Sequence, residues 1–509
     1  MKRSITILAA LLMLATGTAK AQFNETNNLF YFAQRTPQSN LLNPAFFPST
    51  FYLTLPGITS FQLGLPLSIG DIAVYDPVQQ ANVININNVL DKLGENNDFR
   101  FGFDLNVVGL GLKVGPVFVN ANMMLRSNIN LGIPVSVVNT VLNGNVAADG
   151  SAIPEVTLLD GDLLNMQMYM ETSVGAGLKV PMTGLTVGAR AKLLSGILNL
   201  QTDNTKVTFE TEEDFETVRA RIYYEAMAAS IIPVEEGQNF SDVINGLKGA
   251  NIKDMAMSLI DLGGGNNGIA FDFGAKYDLG PFSFSASIND LSAGIHWQKN
   301  VISIVPKNGQ GTIEFDGLDI SNLLDGGTIN VDTLTNYLSD QIEGMMPQTL
   351  VNSADYWYCI PTKLNLGASV SLGILKAGIL FHGQWDRGLL SKSTYSSFSE
   401  ALGDATTNFN EVKNTFRSNT TLSVGVNFFN WLELIAGSSF VYDGSGLSNI
   451  TLDNFLNPGV GVIFTPATLI QAYVMMDYAS SMYLTQMKAF NFKVGFNLLV
   501  GSNKSKRIL

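Results

Sequence analysis

Cysteine and histidine are almost missing from this chain: Cys359 is the only cysteine, and His296 and His382 are the only histidines, in 509 residues. A single cysteine cannot close an internal disulfide, so the chain is not a disulfide scaffold. Two isolated histidines and one cysteine cannot supply the usual zinc sets, and Asp316, Asp319, Asp325 and Asp332 lack the spacing and central glycine of a calcium loop. No metal and no other cofactor is expected. Charge is scarce too: Asp, Glu, Lys and Arg make up 14% of the residues, and the net charge of −13 argues against nucleic acid as a partner. Glycine-rich runs such as Gly109-Leu110-Gly111 and Gly263-Gly264-Gly265 are not followed by Lys-Ser/Thr, which excludes a phosphate loop. Past the first 21 residues, no apolar run approaches the roughly 18 residues that a membrane helix needs.

Apolar residues are nevertheless abundant, at 46% hydrophobic with a mean hydropathy of +0.19. Met1-Lys2-Arg3, the apolar stretch from Ile5 to Ala15 and the small-residue site Ala19-Lys20-Ala21 read as a signal peptide over 1–21, with the mature chain starting at Gln22. No cysteine lies near that site, which argues against a lipoprotein anchor. Losing Lys2, Arg3 and Lys20 leaves 27 basic against 43 acidic groups, a net charge of −16.

An apolar surplus without spanning helices leaves a closed barrel as the membrane solution, because its backbone groups pair between strands. Ile269 to Ile288 shows the pattern most clearly. Ile269, Phe271, Phe273, Ala275, Tyr277 and Leu279 alternate with Ala270, Asp272, Gly274, Lys276 and Asp278; Gly280-Pro281 breaks the run; Phe282, Phe284, Ala286 and Ile288 resume it against serines. A period of two belongs to a strand, and the break to a tight hairpin turn. The same pattern recurs from Phe99 to Lys113 (with Phe99, Phe101, Phe103, Leu105 and Val107 on one face), from Val117 to Leu125, from Met166 to Lys179, from Leu185 to about Leu200, and in the pairs starting at Thr362, Leu422 and Val460, ending with Phe490 to Leu498. With a strand at Ile58 to Leu65, this gives about 14 strands, all-β, in a transmembrane antiparallel β-barrel.

Connections alternate between long (66–98, 127–165, 201–268, 298–361, 386–419) and short, with medium ones near the end. Outer-membrane barrels have short periplasmic turns and long extracellular loops, so both termini are expected in the periplasm of a Gram-negative cell. Helical spacing in Glu212 to Ile232, Phe240 to Leu247, Ile252 to Leu262 and Val331 to Met346 predicts short helices in extracellular loops, and Asn87 to Leu93 a helical turn.

Residues 22–57 precede the barrel, which is expected over 58–500, with a basic periplasmic tail at 501–509. Within that leading segment, Asn43-Pro44-Ala45-Phe46-Phe47-Pro48 carries two prolines and favours a turn-rich or extended path. Arg100, Asp104, Glu171, Lys179, Arg190, Lys192, Asp272, Lys276, Lys363 and Lys493 fall on predicted lumen faces, where charges must be wet or paired. They read as a salt-bridge lattice or as a polar permeation path. His296 and His382 are expected to face the lumen, and no nucleophile and acid accompany either, so no catalytic residue is assigned.

An exported chain with Asn43-Pro44-Ala45 ahead of about 14 alternating strands resembles the FadL-like outer-membrane barrels. It looks closer still to their uncharacterised relatives in Bacteroidota, which carry an N-terminal motif of this type and are grouped as a domain of unknown function. The resemblance implies a barrel whose N-terminal segment forms a plug containing Asn43, Pro44 and Ala45, with hydrophobic molecules binding near the extracellular end and leaving through a gap in the wall. The end of the chain departs from the pattern, with a basic tail from Gly501 to Leu509 in place of a terminal aromatic. The function expected is passive transport of hydrophobic or amphipathic small molecules by a non-enzymatic barrel in outer-membrane lipid. The alternative is an accessory barrel for an envelope complex of the type IX secretion or gliding kind, binding a protein partner through the loops at 201–268 and 298–361.

Overall fold

A computed structural model describes residues 28–502 except 48, 77–80, 85, 94–95, 137–154, 162–163, 212–217, 232–264, 305–312, 317–323, 326–327, 330–348, 352–353, 386–393, 396–415, 429–430, 442–456, 468 and 478–486. Fourteen antiparallel staves form a closed barrel. They are β1, in two pieces (Ser49–Thr54 and Gly57–Gly64), β2 (Asn96–Val114), β3 (Val117–Pro134), β4 (Leu164–Lys179), β5 (Leu185–Thr211), β6 (Asn267–Leu279) and β7 (Phe282–Trp297). The second half comprises β8 (Thr362–Leu372), β9 (Leu375–Trp385), β10 (Phe416–Phe428), β11 (Leu432–Val441), β12 (Asn457–Ala467), β13 (Ile470–Asp477) and β14 (Ala489–Ser502). Closure is made by β14, which pairs with β13 on one side and with both pieces of β1 on the other, from Ser49↔Ser502 to Gly64↔Ala489. No described helix is long and apolar enough to cross a membrane; the crossing is made by strands.

The faces divide as the alternation requires. Ile269, Phe271 and Phe273 on β6 are 61%, 45% and 48% exposed, whereas Ala270 and Asp272 between them are 0% exposed. An outside of exposed large apolar side chains around an inside of buried polar ones suits lipid around a lumen and inverts a soluble sandwich. Tight turns all lie at one end. At two of them Gly115 and Gly280 hold φ of 60° and 58°, a region open to glycine but costly for most residues.

Three expectations are corrected. The wall begins at Ser49, not at residue 58: Phe51 and Leu53 pair with both β14 and β2, and the stave merely breaks at Leu55-Pro56, where the proline has no N–H for the ladder. The strict alternation expected from Phe99 to Lys113 changes parity after Val107. The register shifts between Asn106 and Val108, and this β-bulge hands the outward role to Val108, Leu110 and Leu112, 42–45% exposed. Nor is Glu212 to Ile232 helical where it is described, because Val218–Ser230 is a strand paired with Leu198–Thr211 of β5. Ala, Met and Glu favour a helix only weakly, and tertiary pairing overrides the preference. The stretches 240–247, 252–262 and 331–346 lie outside the described residues. In the first long connection a helix does form at Ile86–Lys92, and Ser68 and Asp71 cap the turn Ile69–Ile72 reciprocally, Asp71 N–H on the Ser68 hydroxyl and Ser68 N–H on the Asp71 carboxylate.

Candidate functional site

The lumen is filled from within. Residues 28–47 fold inside the barrel as two short helical turns, α1 (Asn28–Phe32) and α2 (Ser39–Leu42), followed by the Asn43-Pro44-Ala45 turn. Asn43, Ala45 and Phe46 are 0%, 2% and 1% exposed. The turn is built by Asn43 itself: its Oδ1 accepts the Ala45 N–H at 2.9 Å, while its Nδ2 donates to the carbonyls of Ala286 at 3.2 Å and Ala275 at 3.4 Å on the wall. Proline after it fixes φ and needs no partner for a missing N–H. Phe47 packs on Phe118 beside Tyr52, its ring centroid 4.7 Å from that of Phe118 and 5.9 Å from the Lys113 ammonium.

Polar side chains from most of the wall hold the segment. Asn28 donates to Asn419, Thr421 and Ser439 at 2.6–3.2 Å. Gln38 and Asn497 exchange amide hydrogen bonds, and the Tyr31 hydroxyl donates to Ser285 at 2.9 Å. Burial raises the Tyr31 phenol above its ordinary value, so it stays a donor. The last carbonyls of α2 lack helical partners. They are met instead by Ser287 on Leu42 at 2.7 Å and by Arg190 on Asn40 at 2.7 Å and Leu41 at 3.3 Å.

Arg190 also joins the segment to an ion network. Its guanidinium lies 3.1 Å from Asp272, which lies 3.0 Å from Lys192; Lys192 reaches Asp290 at 2.6 Å and Glu171 at 3.5 Å. Arg126 bridges Glu171 and Asp104 at 2.6 and 3.0 Å, and Lys363 lies 3.7 Å from Asp290. Six of the charges assigned to the lumen from sequence, Asp104, Glu171, Arg190, Lys192, Asp272 and Lys363, thus meet in one lattice. Three others make separate pairs: Arg100 with Asp98, Lys276 with Asp278 at the tight-turn end, and Lys493 with Asp477 at 2.6 Å; the tenth, Lys179, is exposed at the tight-turn end. Asp477 also accepts the Leu29 N–H of the segment at 3.2 Å.

Sequence reasoning missed Arg126, Asp290 and Asp477. Strict alternation from Leu125 finds Arg126. It misplaces Asp290, which by parity belongs outside with Ile288 but is turned inward at a φ of 59°. A second irregularity at Gly294, φ 101°, follows. His296 is the matching correction: it lies opposite the buried Trp297, stacked on Trp357 and 2.6 Å from exposed Asp355, not in the lumen. His382 does face inward, 2.7 Å from Asn365. Among the described residues no group of three or more His, Cys, Asp or Glu is placed to hold a metal.

Between the segment and the lattice remains a cavity of about 40 Å³, lined by Phe30, Leu41 and Leu42 of the segment and by Arg126, Lys192 and His382 of the wall. It has room for roughly two or three waters, far less than the several hundred Å³ of a solute pocket.

A closed wall, apolar outside and polar and ion-paired inside, defines a transmembrane β-barrel of the outer-membrane class. The model of the family of unknown function DUF5723 matches residues 44–477, and the chain belongs to that family. No curated protein matches it in sequence. Among solved structures it is similar to the Pseudomonas putida toluene transporter TodX (10% identity, 91% of this chain and 92% of that one, TM-score 0.38). It is likewise similar to a Pseudomonas aeruginosa FadL homologue (10%, 91% and 94%, 0.40) and to the CymD monoaromatic hydrocarbon channel (8%, 92% and 94%, 0.40).

Proposed function

We propose that this protein is a passive outer-membrane pore for hydrophobic or amphipathic small molecules, shut in this conformation by residues 28–47. The observation that carries the reading is the way the lumen is closed. The segment packs against the wall from Asn28 to Phe47 beside a cavity of about 40 Å³, yet among the described residues it enters none of the strand pairings of the wall. A closure held by side chains can leave without unzipping the barrel. Beside the polar contacts, apolar patches part when it moves: Leu29 and Phe30 against Ile435, Ile463, Tyr473 and Met475; Tyr31 and Phe46 against Leu380; Phe47 against Tyr52 and Phe118. Such patches give greasy solutes a surface to bind. The tight turns are assigned to the periplasm and the long connections to the outside, following the usual arrangement of such barrels.

Deleting residues 28–47, and sparing Ser49–Thr54 because it belongs to the wall, tests this in planar bilayers. Higher conductance than the full chain supports the reading; an equally closed barrel refutes it.

A second reading has its own observation. β5 runs for 27 residues, roughly 90 Å at 3.3 Å per residue, against an apolar band of about 25 Å. Its far half pairs with Glu155–Gly161 on one side and Val218–Ser230 on the other, and that strand pairs in turn with Val301–Ile304 and Ile313–Asp316. This sheet, carried beyond the membrane, would serve an accessory barrel as a platform for an envelope protein. Stoichiometric co-purification of such a protein favours this reading, and its loss on trimming 203–225 would localise the contact.

A further inference from the structure

The wall is cut to the shape of the segment. Five inward glycines, Gly177, Gly188, Gly274, Gly367 and Gly378, sit on β4, β5, β6, β8 and β9, and a Cβ at any of them would come within 3.0 Å of the segment. The obstructing atoms are the rings of Phe47, Tyr31 and Phe32 at Gly177, Gly367 and Gly378, and the Asn43-Pro44-Ala45 turn at Gly188 and Gly274. Leu29 likewise approaches Gly437 and Gly459. Glycine weakens a strand, so its repeated use where another backbone comes close marks a fitted contact. Other inward glycines face wall tyrosines instead, Gly111 against Tyr52 and Gly495 against Tyr473.

The polar contacts read the segment as closely as the glycines do. Asn40 is the clearest case: its amide Nδ2 donates to the carbonyls of Pro44 and Phe46, and its Oδ1 receives both Asn120 and Arg190. Its role at that position needs an acceptor and a donor on one short side chain, which only asparagine offers there.

We infer that the barrel interior is a sequence-selective peptide-binding site, and that residues 28–47 are its ligand, docking and leaving as one unit instead of unravelling residue by residue. The site takes a segment of helical turn, Asn-x-x-Asn-Pro-Ala turn and flanking aromatics. This rests on the reading of residues 28–47 as the closure, and goes further in making that closure a separable ligand.

The test uses the full chain. A protease site is inserted between Phe47 and Ser49, the protein is folded and purified whole, and the link is then cut. The expected result is that the freed segment stays with the barrel through size exclusion in detergent and leaves about tenfold faster from the Gly274→Ala and Gly188→Ala proteins. Gly425→Ala is the control, because a Cβ there meets only ordinary contacts at 3.5 Å or more, none of them with the segment. Loss of the segment from the unsubstituted protein on cutting overturns the inference, as does equal retention by all three variants. A variant that fails to fold is replaced by Gly378→Ala, read the same way. Solute passage is measured separately on the uncut protein: a segment that binds without passage refutes the pore and leaves the peptide site standing, whereas a segment that does not bind refutes the site whatever the barrel carries.

Discussion

Asp272 is the carboxylate whose loss should be felt most. It is 0% exposed, lies 3.1 Å from Arg190 and 3.0 Å from Lys192, and accepts the Asp290 N–H at 2.8 Å. Asp272→Asn keeps the shape but removes the charge. Lys192 retains Asp290 and Glu171, whereas Arg190, also fully buried, keeps only the carbonyls and amide of the segment. Breaking a buried pair by removing one partner costs about 3–5 kcal/mol, because the other charge is stranded away from water. The comparison is Lys276→Met: its pair with Asp278, 22% and 42% exposed, is worth at most about 1 kcal/mol. Urea unfolding of the barrel in lipid vesicles reads both. A double-mutant cycle with Arg190→Gln should show strong coupling, since the doubly neutral protein strands no charge at that pair. If Asp272→Asn and Lys276→Met shift stability equally, the lattice is wet and the reasoning from burial fails.

Other consequences follow from the segment and from the first long connection. Asn28→Ala takes its donor from the Asn419 amide oxygen, while the Thr421 and Ser439 hydroxyls keep each other at 2.7 Å, and should loosen residues 28–47 by about 1–3 kcal/mol without unfolding the barrel; hydrogen exchange confined to that segment checks it. Asp71 titrates below the usual carboxylate range: its partial burial works the other way, but the Ser68 N–H and hydroxyl and the Lys488 ammonium outweigh it. A depressed folded value means stability that is present above the ordinary carboxylate range and is lost as pH falls through the folded value. Acidification below about pH 4 should therefore free the Ile69–Ile72 turn from Lys488, and Lys488→Met should lower the amount lost, both read by hydrogen exchange over 66–76.

The barrel was written plainly in the alternation of residues such as Ile269 to Leu279, because lipid on one side and a lumen on the other impose a period of two on every stave. Parity failed only where a bulge adds a residue, at Val107 and again between Asp290 and His296, since alternation carries no signal for an inserted residue. Asn43-Pro44-Ala45 stood out as a turn. Its placement against Gly188 and Gly274 did not, because those contacts join residues more than a hundred positions apart and follow no period. The strand at Val218–Ser230 was hidden by a composition of Ala, Met and Glu whose local preference was overridden by pairing with β5.

The most direct test ties the segment to the wall. An ideal Cβ on Gly274 falls 3.0 Å from Asn43 Cγ; Asn43→Cys removes the amide that this Cβ would meet, and with Gly274→Cys it brings two Cβ atoms no more than about 4.5 Å apart, a span that a disulfide bridges. The one native cysteine, Cys359, is buried. Passage of an apolar solute into vesicles carrying this protein should stop when the pair is oxidised and resume when it is reduced. Equal passage in both states would mean that residues 28–47 do not gate the barrel.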